Sequence, residues 1–438
     1  MLTHSDFKDR RKQLMRQMKK HSVAVLASAP ACIRNRDVEY PFRQNSDFQY
    51  LTGFPEPESV AVFIPGRKAG EFVLFCRAFD PEKAIWTGRH AGLEGACEHY
   101  RADEAYPISE LEEKLPELLE NRQRIYYPVG QDADLDQAIT DAVNQLRSRA
   151  RSGVQAPHEF VALDHLLHEM RLFKSDAEIG MMQRAADVSM QAHRRAMRAC
   201  RPGRHEYEIE AEFLHECALH GLRSQAYPSI VAAGANACVL HYTESNAPLR
   251  DGDLLLIDAG AEYEGYAADI TRTFPINGRF TDSQRQLYQL VLDAQVAAIA
   301  EVRPGQRWLD PHDAAVKILT HGLVDLGLLE GKPSKLIQQE AYRSFYMHRT
   351  GHWLGMDVHD VGHYQIDGEW RKLQPGMVLT VEPGLYVSPD CETVDPRWRG
   401  IGIRIEDDVL VTQTGCDILT AGLPKTVAEI EAFMAKPA

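Results

Sequence analysis

The chain has 438 residues, enough for two or three domains of ordinary size, each with its own core. Its 63 Asp and Glu outnumber 49 Lys and Arg, and the formal net charge of −14 excludes the basic footprint of a nucleic-acid or anionic-membrane binder. Hydrophobic residues at 44% and charged residues at 26% are the proportions of a folded globular protein.

The N-terminus, MLTHSDFKDRRKQLMRQMKK, is charged and leads into no long apolar run, so it does not read as a signal peptide. A helix is expected over Phe7–Lys20, then a strand over Val23–Leu26. Further strands are expected over Val60–Ile64 and Phe72–Phe75, with Pro- and Gly-bearing turns between them. Ile108–Leu119 and Asp134–Leu146 carry helical patterns. This alternation predicts an α/β domain over residues 1–173.

The second domain is expected over 174–438. It opens on Ser175-Asp176-Ala177-Glu178, a capping box in which Ser175 and Glu178 satisfy each other's orphan backbone donors. The helix that follows stops at Arg201-Pro202-Gly203. A second helical pattern, from Thr281 to Val302, stops at Arg303-Pro304-Gly305. Each stop precedes another helical stretch and then strands, which predicts two related halves around a shared cleft. The longest apolar stretches, such as Leu254–Ile257, are strand-sized and far short of a membrane span. Eight cysteines (32, 76, 97, 200, 217, 238, 391 and 416) occur singly, without a CxxC pair, and predict a reducing, cytoplasmic setting.

Four acids stand at the ends of apolar strands. Leu254–Ile257 runs into Asp258, and Ala268–Phe274, its returning partner, contains Asp269. A turn at Glu262–Gly265 midway between them predicts that Asp258 and Asp269 face each other on neighbouring strands. Met377–Val381 leads into Glu382. In Ile401–Glu406 the isoleucines alternate, so Arg404 and Glu406 share the other face. One strand-end acid is ordinarily a turn or salt-bridge residue. Four in such settings supply the oxygen-rich environment that hard divalent cations require. His348, His352 and His359, spaced through Gly-rich sequence, offer nitrogen ligands on an extended or loop path. His215-Glu216 followed by His220 is one residue too long for a helical zinc motif, because a five-residue step turns the two imidazoles apart. No GxxxxGK[ST] or GxSxG pattern occurs, which argues against nucleotide binding and serine hydrolysis.

Through these segments the chain resembles the Xaa-Pro aminopeptidases (aminopeptidase P) of the pita-bread metallopeptidase family. The resemblance is carried by Ile257–Gly260, by Tyr266–Pro275 (YAADITRTFP), by His348-x3-His352-Trp353-Leu354-Gly355 and by Asp357–Gly362. It continues through Thr380–Tyr386 and Gly400–Asp408 (GIGIRIEDD), and into the N-terminal segment through Asn45–Gly53 and Trp86. It implies an α/β (α+β) fold. A creatinase-like N-terminal domain would serve oligomerisation and the edge of the substrate site, and a pita-bread catalytic domain would have pseudo-twofold helix and strand halves.

The resemblance further implies five metal ligands, Asp258, Asp269, His352, Glu382 and Glu406. They would hold two divalent ions, manganese foremost and cobalt or zinc as alternatives. His241, His348 and His359 would line the substrate site, and Tyr386 and Arg404 the proline pocket. Trp86 matches a residue that reaches a neighbouring subunit's site in tetrameric members. The stretch Gln365–Lys372 departs from the family pattern, as does Arg349–Gly351.

The expected activity is hydrolysis of the bond between an N-terminal residue and a following proline by a metal-bridging hydroxide. Glu382 would take the water proton and deliver it to the prolyl nitrogen, with His241 and His359 stabilising the oxyanion. The expected partners are peptides with proline second and further copies of the chain, as a dimer or tetramer, without nucleic acid or membrane. Three alternatives stand beside this reading. One is a prolidase restricted to dipeptides. The second is a metal-free creatinase-like amidinohydrolase, and the third an inactive pita-bread binding module like those of histone chaperones.

Overall fold

In a computed structural model, which describes residues 2–436, contacts divide the chain between Arg171 and Leu172 into two compact units. The N-terminal unit is built on a six-stranded sheet. Its spatial order is Glu104–Pro107, Phe72–Cys76, Val60–Phe63, Ser22–Ala27, Arg124–Tyr127 and Glu159–Ala162. Antiparallel pairs occupy the middle, and parallel strands extend both sides. In Ser22–Ala27 the apolar run Val23–Leu26 is buried on both faces of the strand. Val23, Val25, Val62 and Phe75 pack with Leu115 and Leu119 of one helix and Ile139 and Val143 of another. The opening helix runs over His4–Gln17, starting earlier than the apolar pattern indicates, because Thr3 and Asp6 form a capping box ahead of Phe7.

The C-terminal unit repeats one plan twice. Helix Asp176–Ala199 starts on the Ser175 capping box, with the Ser175 amide 2.9 Å from the Glu178 carboxylate, and packs with helix Glu206–Leu219. In the second half the helices are Asp282–Ala300 and Asp310–Asp325. The stops between them are conformational copies: Gly203 and Gly305 take φ of 89° and 90°. The Gly203 amide donates to the Leu249 carbonyl and the Gly305 amide to the Leu373 carbonyl, both at 2.9 Å. Leu249 and Leu373 donate back, to Arg204 and Gln306. From there each returning chain enters a buried strand, Leu254–Asp258 or Val378–Val381. Asp258 and Glu382 stand the same distance along the chain from these bonds. They are therefore equivalent positions in the two halves.

Each of these strands lies between two neighbours. Leu254–Asp258 lies antiparallel between Ile230–Ala233 and Thr271–Pro275. Val378–Val381 lies between Asp407–Val411 and the extended segment 350–354. That segment is fixed by bonds from Leu354 to the Val378 carbonyl, Thr380 to the His352 carbonyl and Glu382 to the Thr350 carbonyl. Ile401–Arg404 pairs with Gly384–Val387, and the chain then passes through Ile405 and Glu406 into Asp407–Val411.

One expected register is corrected. Asp258 faces Thr271, not Asp269. The reversal is a two-residue turn at Glu264-Gly265, with φ of 52° and 82°, flanked by the Tyr263–Tyr266 pair. Both positive φ values mark the hairpin turn whose twist suits antiparallel strands. Centring the turn there moves the pairing by two residues from the expected register. A two-residue offset preserves the face, so both aspartates still point the same way. The divergent stretch at 365–372 holds another such hairpin. Gln365–Ile366 pairs with Glu369–Trp370 around Asp367 and Gly368, with φ of 51° and 82°.

Candidate active site

A cavity of about 650 Å³ opens in the C-terminal unit, and the lining residues run from Tyr227 to Glu406. All five expected ligands border it: Asp258, Asp269, His352, Glu382 and Glu406. Asp258 closes its strand, and Asp269 lies just before Thr271–Pro275. Glu382 follows Val378–Val381, and Glu406 occupies the crossing between two sheets. His352 comes from the segment hydrogen-bonded beside Val378–Val381. Gly351 lets that segment approach, since a Cβ there would lie 2.0 Å from the Thr380 carbonyl oxygen.

Asp269, His352 and Glu406 present ligand atoms within 4.8 Å of one another. Asp258 and Asp269 converge on one phenol, the Tyr227 hydroxyl lying 2.6 Å from the first and 2.5 Å from the second. That hydroxyl carries a single proton and can donate to only one of them at a time. The His352 Nε2 stands 3.3 Å from Asp269 and 3.8 Å from Glu382.

The charge balance tests whether cations fit. Four carboxylates converge, and the Arg404 guanidinium lies against them, its NH2 2.5 Å from Asp258. Burial raises the Glu382 carboxyl to about 7, although His352 and Arg404 oppose the rise. Burial and the neighbouring Asp269 and Glu382 push Glu406 well above the usual carboxylate range. Burial also raises Asp258 against the pull of Arg404. Asp269 goes the other way: burial would raise it, but its bond to His352 and that ring's charge hold it down. Burial disfavours the His352 imidazolium, yet Asp269 and Glu382 carry it up to about 9. The carboxylates repel one another, and Glu382 and Glu406 favour the protonated form unless further positive charge compensates. Three buried carboxylates, the part-exposed Glu382 and an imidazole are the donor set of hard or borderline divalent ions, so the residues fit the metal the family implies.

The acidic run ending the motif divides by strand alternation. Glu406 and Asp408 face the centre, and Asp407 faces away. Asp407 meets Arg272 at 2.6 Å and Lys425 at 2.7 Å, and although burial opposes its charge these cations hold it near 2. Asp408 accepts from the Asp269 amide at 3.2 Å, and burial pushes its carboxyl well up. Thr271 donates to Glu406 at 2.6 Å and accepts from Arg404 Nε at 3.2 Å, so Arg404 and Glu406 meet on the shared face.

The remaining expected residues divide between the units. His241, His348, His359 and Arg404 line the cavity. Tyr386 adjoins it through its hydroxyl, bonded to His348 Nε2 at 2.8 Å and to Arg404 NH1 at 3.0 Å. Burial, reinforced by the charge of Arg404, lowers the His348 imidazole to about 3, so it is neutral at pH 7. His359 stands edge-on to His352, ring centroids 4.2 Å apart, and burial lowers it too. Trp86 belongs to the N-terminal unit, on the short helix Pro81–Thr87, and is 88% exposed.

Tyr227, Thr271 and Asp408 were not among the residues expected from sequence. Tyr227 precedes its strand in irregular chain, where no periodicity marks it. Thr271 gains its role from a register that sequence misplaces. Asp408 stands inside a recognised motif, and its place two residues after Glu406, on the same strand face, was the available signal. The HExx-like decoy is a surface pair: His220 lies 3.3 Å from Glu216 at the end of its helix.

The chain matches metallopeptidase family M24 over residues 180–413 and the aminopeptidase P N-terminal domain over residues 7–126. It is 47% identical over 434 residues to the Xaa-Pro aminopeptidase of Escherichia coli strain K12, covering 99% of this chain and 98% of that one. The solved structure of Pseudomonas aeruginosa aminopeptidase PepP superposes with a TM-score of 0.98 at 58% identity, covering 99% and 98% of the two chains. Zn-substituted E. coli aminopeptidase P in complex with product gives 0.97 at 47% identity, covering 100% and 99%. With both domain matches and near-complete coverage, the chain belongs to metallopeptidase family M24, among its Xaa-Pro aminopeptidases.

Proposed function

We propose that the C-terminal unit removes the N-terminal residue from peptides whose second residue is proline. The observation that carries this reading is the convergence of Asp258, Asp269, His352, Glu382 and Glu406 on one cavity that also holds His241, His348 and His359. The five would hold two divalent cations. Manganese is our first choice, with cobalt and zinc compatible with the same ligands. Such cations supply Lewis acidity and a water acidified towards neutral pH.

The protein's own groups account for the proton movements. Glu382, facing the cleft with its side chain 17% exposed and its carboxyl near 7, takes a proton from the attacking water and returns it to the departing prolyl nitrogen. His241 and His359 offer N–H donors to the carbonyl oxygen as it gains charge. The His348–Tyr386–Arg404 chain of bonds fixes the wall beside Glu382, with Tyr386 and Arg404 at the proline pocket. Ile230, Leu240 and Val358 supply apolar surface to the same cavity, suited to a pyrrolidine ring. A prolyl amide offers no N–H, so recognition by ring shape replaces a backbone hydrogen bond.

The N-terminal domain, 1–173 in this reading, serves assembly and the substrate-site edge, while 174–438 carries catalysis. Ile85 and Trp86, 83% and 88% exposed side by side, support a dimer or tetramer of this chain. Eight free cysteines suit a reducing compartment such as the cytoplasm, and no described helix is long and apolar enough to cross a membrane. Cleavage of an Xaa-Pro-Yaa tripeptide beside an Xaa-Pro dipeptide tests the activity. Release of the first residue from the tripeptide supports the aminopeptidase, and turnover of the dipeptide alone points to a prolidase.

A further inference from the structure

His241 stands in the cavity on a segment with little structure of its own. Residues 241–247 belong to neither helix nor strand. Among the described residues the His241 ring forms no hydrogen bond, so its position follows from the backbone that carries it. That backbone converges on one side chain. Glu206 is fully buried at the first turn of helix Glu206–Leu219, and it faces no cation among the described ion pairs.

Its carboxylate instead accepts four hydrogen bonds from residues 233–247, which include that stretch. Oε1 receives the Ala233 amide at 2.7 Å and Asn236 Nδ2 at 3.0 Å. Oε2 receives the Tyr242 hydroxyl at 2.8 Å and the Ala247 amide at 2.8 Å. These donors bracket His241 on both sides, and Tyr242 is its immediate neighbour.

We infer that Glu206 is a positioning residue for the reaction, holding the 233–247 segment so that His241 reaches the substrate carbonyl. The physical basis is stoichiometric. An ionised carboxylate accepts from four donors, whereas the amide of glutamine presents one acceptor and one donor atom. Glu206→Gln therefore leaves an N–H group facing either the Ala233/Asn236 pair or the Tyr242/Ala247 pair, and that side of the segment must move. This inference rests on the role assigned to His241 above.

The test is a double-mutant cycle on Xaa-Pro-Yaa hydrolysis with Glu206→Gln, His241→Ala and both together, with metal content and Tm measured alongside. Glu206→Gln is expected to lower kcat by about tenfold or more with metal content unchanged, and the double variant to be no slower than His241→Ala. An equal loss in both backgrounds would overturn the inference, because Glu206 would then act elsewhere. So would an unimpaired Glu206→Gln beside an impaired His241→Ala. An unimpaired His241→Ala would remove the histidine's role itself, and the inference with it. If Glu206→Gln does not fold, Tyr242→Phe carries the test. It removes one donor, and its smaller loss of kcat must vanish in the His241→Ala background.

Discussion

Glu382 and His193 show how burial tunes single groups for opposite ends. Glu382 reaches about 7 because the cleft disfavours its charge, which suits a group that must both accept and release a proton near neutral pH. Glu382→Gln is expected to keep the Tm within a few degrees and to lower kcat by about 10²-fold or more. A Gln variant with wild-type kcat would remove Glu382 from proton transfer. His193 lies outside the chemistry. It is wholly buried, its Nε2 donates to the Ala259 carbonyl at 3.0 Å, and burial drives its imidazole down to about 4.

The unfolded chain therefore takes up this proton first as pH falls. The stability from a neutral His193 is complete above about pH 6.5 and is lost progressively towards pH 4, a span of roughly 3 kcal/mol. Urea midpoints between pH 7 and 4.5 should fall for the wild type and fall less steeply for His193→Gln. Identical slopes would contradict the assignment.

Asp258, Asp269, Glu382 and Glu406, which border the cavity, stand out in sequence because ionised groups at the ends of apolar strands are costly without a purpose. Tyr227 is not, since its importance comes from two carboxylates that fold onto it.

At the scale of elements, backbone spacing decides the site. The 350–354 segment brings His352 to Asp269 only because Gly351 allows it to lie against Thr380. Gly351→Ala places a methyl 2.0 Å from a backbone carbonyl that has no freedom to rotate away. The variant should lose about 2 kcal/mol or more of stability and most of its bound metal, as read by denaturation and elemental analysis. Retained metal at wild-type stoichiometry would show that the segment yields without disturbing His352.

Strands and helices of this unit are readable from the sequence through apolar runs and capping boxes such as Ser175–Glu178. Register is harder. Placing Asp258 opposite Thr271 required knowing that the turn is Glu264-Gly265, and a glutamate with positive φ carries no sequence signal.

At the scale of the molecule, the repeated Arg-Pro-Gly stops foreshadow the two halves, and their matching hydrogen bonds make Asp258 and Glu382 equivalent. What sequence leaves open is how the halves join. The chain from Ile401 to Val411 pairs first with Gly384–Val387 and then with Val378–Val381, and this crossing delivers Glu406 between the two layers. The net charge of −14 identifies no function by itself. Its consequence is local: among the described residues, the positive charge in direct contact with the four converging acids comes from Arg404 and His352. Cation binding should therefore stabilise the fold, because it relieves repulsion present only in the native state. Chelator-treated protein is expected to show a lower Tm that rises again with added manganese, by several degrees at saturation. An unchanged Tm on metal addition would separate the acid cluster from metal binding.

The most direct measurement follows release of the N-terminal residue from an Xaa-Pro-Yaa peptide, with the enzyme as purified, after chelation and after stepwise return of manganese, cobalt or zinc. Cleavage is expected at the Xaa-Pro bond alone, with activity lost with the metal and recovered on its return. Full activity in the metal-free protein, or no cleavage at any metal concentration, would contradict that expectation.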